Sequence, residues 1–263
     1  MDIQLVKHER KGDVVCLTLN NPGNMNALSL PMLEALEGAI DTLYRDETTR
    51  CVVITGEGKA FCAGGDLRGF QADLAEPTTD RFLDRLRYAQ VVFDKIEALP
   101  MPVIAAVNGY AIAGGLELIL CCDMIVAAES ARIGDGHARY GIIPAGGSTA
   151  RLPRKISANR ANYMLLTAEL FPAQTLEQWG LVNCVVPDSE LDSTVIKLSK
   201  SISAHSPLGL SVIKGLARTS MKTSAEDAAR AEIAAFEEYA TSHDFAEGLA
   251  AFAEKRKPAF NGH

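Results

Sequence analysis

Lys59-Ala60-Phe61-Cys62-Ala63-Gly64-Gly65-Asp66-Leu67 and Asn108-Gly109-Tyr110-Ala111-Ile112-Ala113-Gly114-Gly115-Leu116-Glu117 are two versions of one local arrangement. Each follows a short apolar run, residues 51–55 in the first case and 103–107 in the second, of a length that suits a buried strand. Each sets two adjacent glycines where a strand hands over to a helix. Glycine allows a close backbone approach and positive φ, and a helix start presents unpaired N–H groups at the positive end of a dipole. Two such turns facing one another aim two N–H donors at a single oxygen, which is what holding an oxyanion requires. A bland reading, turn glycines and nothing more, stays open on either stretch alone.

Further apolar runs at 14–19, 124–127 and 182–186 alternate with helical patterns. Ser29 precedes a helix in which Leu33, Leu36, Ile40 and Leu43 recur at three and four residues, with Pro31 tolerated in its first turn. Residues 80–99 read as a second helix, ended by Pro100 and Pro102. Strands alternating with helices imply parallel pairing through crossover helices, hence an α/β fold. After Asp188 helical patterns take over, and residues 225–240 are amphipathic. The expected layout is a core over 1–200 and a helical C-terminal region over 201–263.

With 263 residues, 48% hydrophobic and 22% charged, the chain can bury a sizeable core. Its formal net charge of −7 repels a nucleic-acid backbone. Neither a signal-peptide run nor a stretch of membrane-spanning length is present, so no membrane partner is expected. Six cysteines without CxxC spacing read as small hydrophobes in a reducing, cytoplasmic compartment. No metal-ligand cluster, P-loop or GxGxxG fingerprint is found in the sequence.

Glu117 lies three residues past Gly114, near the first turn of a helix that Leu116, Leu118, Ile119 and Leu120 make apolar. A carboxylate there is either a partner for the helix dipole or a desolvated group with a raised pKa, suited to proton transfer. Lys255-Arg256-Lys257 is either a solvated basic cluster, the commoner meaning of a charge run, or a grip for a small phosphorylated ligand.

Six segments in order resemble the crotonase superfamily, the enoyl-CoA hydratase/isomerase family. They are Asn21-Pro22-Gly23-Asn24-Met25-Asn26-Ala27-Leu28, the two glycine turns, Gly141-Ile142-Ile143-Pro144-Ala145-Gly146-Gly147-Ser148, Trp179-Gly180-Leu181-Val182, and Glu247 to Pro258. The resemblance implies a crotonase-like spiral of ββα units with a C-terminal helical region that builds a homotrimer, often paired into a dimer of trimers. It implies an acyl-CoA thioester as substrate, with coenzyme A as carrier and no separate cofactor or metal.

Residue by residue, Gly65 and Gly114 match the family's two backbone donors to the thioester oxygen. Glu117 matches one of the two catalytic glutamates. Where the second stands in the family's Phe-Gly-x-Pro-Glu, this chain has Ile133-Gly134-Asp135-Gly136-His137, so a histidine takes that place. The Ala63 carbonyl matches the contact to the adenine amino group, and Asp66 is expected to fix the loop. Phe252 and Lys255 match residues that reach the nucleotide from an adjacent subunit. Pocket walls are expected from the segment 68–88 and the C-terminal helices.

The resemblance implies hydration of 2-enoyl-CoA, with double-bond isomerisation, β-diketone carbon–carbon hydrolysis and a non-catalytic or RNA-binding role as alternatives. A carbon–carbon hydrolase branch of the superfamily also carries a histidine at this place, but adds an aspartate where this chain has Gly146. Ala145 and Gln90 stand where the dehalogenase branch needs a nucleophile and a base, and neither can do those jobs.

Overall fold

Valine- and isoleucine-rich runs at 14–19, 51–56, 103–107 and 124–128 lie side by side in one sheet. The computed structural model describes residues 4–75 and 80–263. In chain order the strands are β1 (Val6–Lys11), β2 (Val14–Leu19), β3 (Cys51–Gly56), β4 (Ala60–Cys62), β5 (Val103–Val107), β6 (Tyr110–Ile112), β7 (Met124–Ala128), β8 (Arg132–Gly134), β9 (Phe171–Pro172) and β10 (Cys184–Val186). The helices are α1 (Leu30–Leu43), α2 (Leu67–Leu74), α3 (Asp80–Ala98), α4 (Gly114–Leu120), α5 (Ser148–Lys155), α6 (Ala158–Thr167), α7 (Ala173–Trp179), α8 (Leu191–Ser203), α9 (Pro207–Ser220), α10 (Ala225–Tyr239) and α11 (His243–Glu254).

The larger sheet runs β1-β2-β3-β5-β7-β10, antiparallel at β1–β2 and parallel thereafter. Its central strands are covered on both faces, which is why they read as continuous apolar runs. Val52 and Ile54 face the main core with α1 and α3, while Cys51 and Val53 face a second cluster closed by Leu191 and Val195 of α8. Helix α1 starts as expected: the Ser29 hydroxyl accepts from the Met32 amide at 3.3 Å, and Leu33, Leu36, Ile40 and Leu43 are buried.

The smaller sheet runs β4-β6-β8-β9, with β4, β6 and β8 parallel. Successive turns of chain each give one strand to the large sheet and one to the small one, a spiral of ββα units. The glycine pairs stand where a strand hands over to a helix, as expected; the strands are three-residue β4 and β6, which follow the longer runs at 51–55 and 103–107. They are too short to show a period of two, and so leave no pattern in the sequence.

Beyond β10 the chain is helical. Lys214 of α9 ties that region to the core through Asp123 Oδ2 at 2.7 Å and the Met101 carbonyl at 3.1 Å. The C-terminus is fastened by Arg50, which donates to the Phe260 carbonyl, and by buried Asp244, which accepts from Ser206 Oγ and the Asn261 amide. No helix among the described residues is long and apolar enough to cross a membrane. All six cysteines are unpaired, four of them buried. Of the segment 68–88 named for the pocket wall, residues 76–79 lie outside the described residues.

Candidate active site

The two glycine turns abut. Strand β4 pairs with β6 through Cys62 and Ala111, and the turns that follow lie against each other. A Cβ built at Gly114 would stand 3.4 Å from the Gly65 nitrogen, and one at Gly64 would stand 3.2 Å from the Gly114 nitrogen. Neither the Gly65 nor the Gly114 amide meets a hydrogen-bond acceptor among the described residues. Gly115 makes this approach possible, because a Cβ there would overlap the Cys62 carbonyl oxygen. Ala113, the residue before the second donor, is held at φ 52°, ψ −115°, with its amide bonded to the Gly134 carbonyl at 3.0 Å. Non-glycine backbone in that region stores about 1–3 kcal/mol of strain, which the surrounding structure must impose.

Asn26 braces the first turn from outside. Fully buried at a φ of 55°, its side-chain amide donates to the carbonyls of Glu57, Ala60 and Phe61, and its Oδ1 accepts from the Asn21 amide. Leu28 donates to the Gly64 carbonyl at 2.8 Å, and Ala63 to the Met25 carbonyl at 3.0 Å. The stretch 21–28 therefore sets the position of the turn at 63–65.

Glu117 sits in the first turn of α4, 3% exposed. Its Oε1 accepts from the amides of Gly146 at 2.7 Å and Ser148 at 3.2 Å, at the start of α5. Spacing along the stretch 141–148 gives no sign of these two donors. Arg151 fixes them in turn: its guanidinium donates to the Gly146 carbonyl at 2.7 Å, to Glu97 at 2.9 Å and to Asp94 at 2.6 Å. At Gly146 a Cβ would stand 2.6 Å from Glu117 Oε2 and 2.7 Å from the Phe93 ring, so no side chain fits there without moving the carboxylate. Burial raises the Glu117 carboxyl above its ordinary 4.5, against the opposing pull of His137 and of the two amides.

His137 follows β8, and its Nδ1 lies 2.9 Å from Asp135 Oδ1. Burial disfavours its charge, but the Asp135 contact and the nearby Glu117 outweigh this, so the imidazole titrates above its ordinary 6.5. Gly65, Gly114, Glu117 and His137 are thus gathered where β4, β6 and β8 end. A buried carboxylate, an imidazole and two unpaired amides together can move a proton beside a carbonyl whose oxygen takes up charge.

The expected carrier contacts are more scattered. Ala63 lies next to the first turn, and its carbonyl accepts no hydrogen bond among the described residues. Asp66 is the N-cap of α2 and makes no side-chain cap; its carbonyl accepts from Phe70 as the first bond of that helix. Phe252 and Lys255 stand at the end of α11, the former 86% exposed, and no hydrogen bond joins either to Ala63 or Asp66 among the described residues. Within the basic cluster, Arg256 is taken up by Glu247 and Glu254, while Lys255 and Lys257 form no ion pair among the described residues.

The chain matches the family model "Enoyl-CoA hydratase/isomerase" over residues 9–263. It is 37% identical to a crotonyl-CoA hydratase of Syntrophomonas wolfei over 253 residues, 96% of each chain. It is 34% identical to a 1,2-epoxyphenylacetyl-CoA isomerase of Escherichia coli, over 98% of each. A crystal structure of an enoyl-CoA hydratase from Bacillus anthracis superposes with a TM-score of 0.94 at 35% identity, covering 99% of this chain and 100% of that one. With the family model matched over residues 9–263 and relatives more than 30% identical along nearly the whole of both chains, the chain belongs to the enoyl-CoA hydratase/isomerase family of the crotonase superfamily.

Proposed function

We propose that the protein hydrates 2-enoyl-CoA thioesters to 3-hydroxyacyl-CoA. The observation that carries this reading is the Glu117 carboxylate, buried and held by two amides, on the same short helix that begins with the Gly114 donor. Relatives named as hydratases support it. In this reading Glu117 takes a proton from water, and the hydroxide adds at C3. The electron pair of the double bond moves onto the thioester oxygen, where the Gly65 and Gly114 amides stabilise it; losing one such donor costs roughly 3–4 kcal/mol. Return of the pair draws a proton to C2, supplied by His137, and the proton taken by Glu117 returns to His137 before the next turnover.

The pH dependence follows from the two titrating groups. Glu117 must be ionised to act as base, so the acid limb lies above the ordinary carboxylate range. His137 must be protonated to act as acid, so the alkaline limb lies above 6.5. A bell-shaped kcat/KM profile with both limbs displaced upward is expected.

Isomerisation of 3-enoyl-CoA is the second reading, favoured by the presence of a single glutamate and by the family's description as enoyl-CoA hydratase/isomerase. His137→Asn separates the two. A hydratase using His137 loses hydration of crotonyl-CoA by about 10²-fold and its alkaline limb, whereas an isomerase using Glu117 alone keeps turnover of 3-enoyl-CoA and takes up no solvent oxygen. Undiminished hydration in the variant removes His137 from the reaction. The carbon–carbon hydrolase reading loses ground, because an aspartate at 146 would overlap the Glu117 carboxylate.

The working form in this reading is a homotrimer or a dimer of trimers, in which Phe252 and Lys255 reach a neighbour's nucleotide site. Support comes from Ile213, Ile233, Phe236, Leu249 and Phe252, large apolar residues left exposed on α9–α11. Sedimentation of the purified protein should give a multiple of three subunits, and Ile233→Asp with Leu249→Asp should lower it. A monomeric wild type would overturn the assembly. Six unpaired cysteines suit a reducing compartment, the cytoplasm in this reading.

A further inference from the structure

Asp135 is almost fully buried, at 1% exposed, and stands between two glycines whose places a side chain would disturb. A Cβ at Gly134 would overlap the Glu169 carbonyl oxygen, and Gly136 is held at φ 69°. The Gly134 carbonyl accepts from Ala113, so this segment is pinned to the second glycine turn. Asp135 Oδ1 faces both His137 nitrogens within reach: the ring Nδ1 at 2.9 Å and the backbone amide at 3.3 Å. Its other oxygen, Oδ2, is buried without a hydrogen-bond partner among the described residues. A half-satisfied buried carboxylate weakens a fold relative to an apolar residue of the same size, so stability does not account for this arrangement.

We propose that Asp135 is a positioning residue that holds the proton of neutral His137 on Nδ1 and leaves Nε2 as the nitrogen that exchanges protons in the site. The proposal rests on the reading of His137 as the second proton-transfer group. A carboxylate accepting from Nδ1 selects that tautomer, as a buried aspartate does for the imidazole of a hydrolase triad.

The pair also keeps the charge of the group it replaces. Neutral His137 with ionised Asp135 carries −1, as an ionised glutamate does, and imidazolium with Asp135 carries zero, as a protonated glutamic acid does. Without Asp135 the same site would run between zero and +1 and pull Glu117 toward its ionised form. The charged groups acting on His137 are Asp135 from its own turn and Glu117 from α4. The pair therefore delivers a glutamate's proton from a nitrogen, at a pH nearer neutrality.

The test is 15N NMR of ring-labelled protein, wild type and Asp135→Asn, with the pH–rate profile on crotonyl-CoA. In the wild type, above its pKa, His137 should show Nδ1 protonated and Nε2 bare. In Asp135→Asn the midpoint should fall, the tautomer should shift toward Nε2–H, and kcat should drop by about 10²-fold or more with KM little changed. Nε2–H in the wild type would overturn the proposal, as would an unchanged midpoint and alkaline limb in the variant. Should Asp135→Asn fail to fold, the wild-type tautomer alone decides. A wild type inactive on enoyl-CoA but with Nδ1–H would sink the hydration reading and leave the Asp135 assignment standing.

Discussion

Glu117→Gln should lower kcat on a 2-enoyl-CoA by about 10²-fold or more, while the Kd for a saturated acyl-CoA stays nearly unchanged. Glutamine keeps the length and planarity of the side chain, and its carbonyl oxygen can still accept from the Gly146 and Ser148 amides. Only basicity is lost. The replacement also removes a buried group whose ionised form burial disfavours, so the variant should melt no lower than the wild type. Stopped-flow absorbance at the enoyl thioester band and calorimetric titration read the two quantities separately. Near-normal turnover in a folded variant would take the proton-transfer role away from Glu117.

The second large effect is structural. Gly115→Ala puts a methyl group against the Cys62 carbonyl oxygen, a backbone atom that cannot turn aside. The strand pair β4–β6 must open or α4 must tilt, and overpacking of this kind costs about 3 kcal/mol. For a chain of this size that lowers Tm by about 6–12 °C. It also moves Gly114 away from Gly65, so activity should fall further than the folded fraction does. Gly38→Ala is the control: Gly38 lies inside α1, and apart from its own stretch of helix nothing stands within 4 Å of the new methyl. Relief of a glycine in a helix interior should there stabilise by about 0.5–1 kcal/mol. Equal Tm values for the two variants would show that the close approach at Gly115 is not tight.

Much of this was legible from the chain itself. The inner strands of the large sheet announce themselves because burial on both faces demands unbroken apolar runs, whereas edge strand β1, polar and exposed beyond Val6, leaves no such run; α1 and α3 carry their own start and stop signals in Ser29, Pro31 and Pro100. The glycine pairs mark the turns because a side chain at Gly64 or Gly115 would meet a backbone carbonyl oxygen. What stayed hidden has physical reasons. Strands β4, β6 and β8 have three residues each, too few for a pattern. The amides that hold Glu117 are backbone groups of residues 146 and 148, and any residue type can supply an amide. Arg151, Glu97 and Asp94 meet across more than fifty residues of sequence, where only the fold relates them. Asp135 was visible as a neighbour of His137, but its bond to the ring was not, since a spacing of two fixes no side-chain direction.

The pairing of β4 with β6 and of β6 with β8 has a consequence for how the molecule forms. Cys62 meets Ala111 across 49 positions of chain, and the site draws further on residues as far along as 148. Nothing local can hold Gly65 beside Gly114 before the intervening coil has been wound, and contacts so distant in sequence close slowly. Helices α1 and α3 can exist early; the pair of facing amides cannot. In the proposed function, competence to bind a thioester oxygen is therefore a late property of the folding chain, gained when the last turn of the spiral locks onto the small sheet and among the first lost when that sheet loosens.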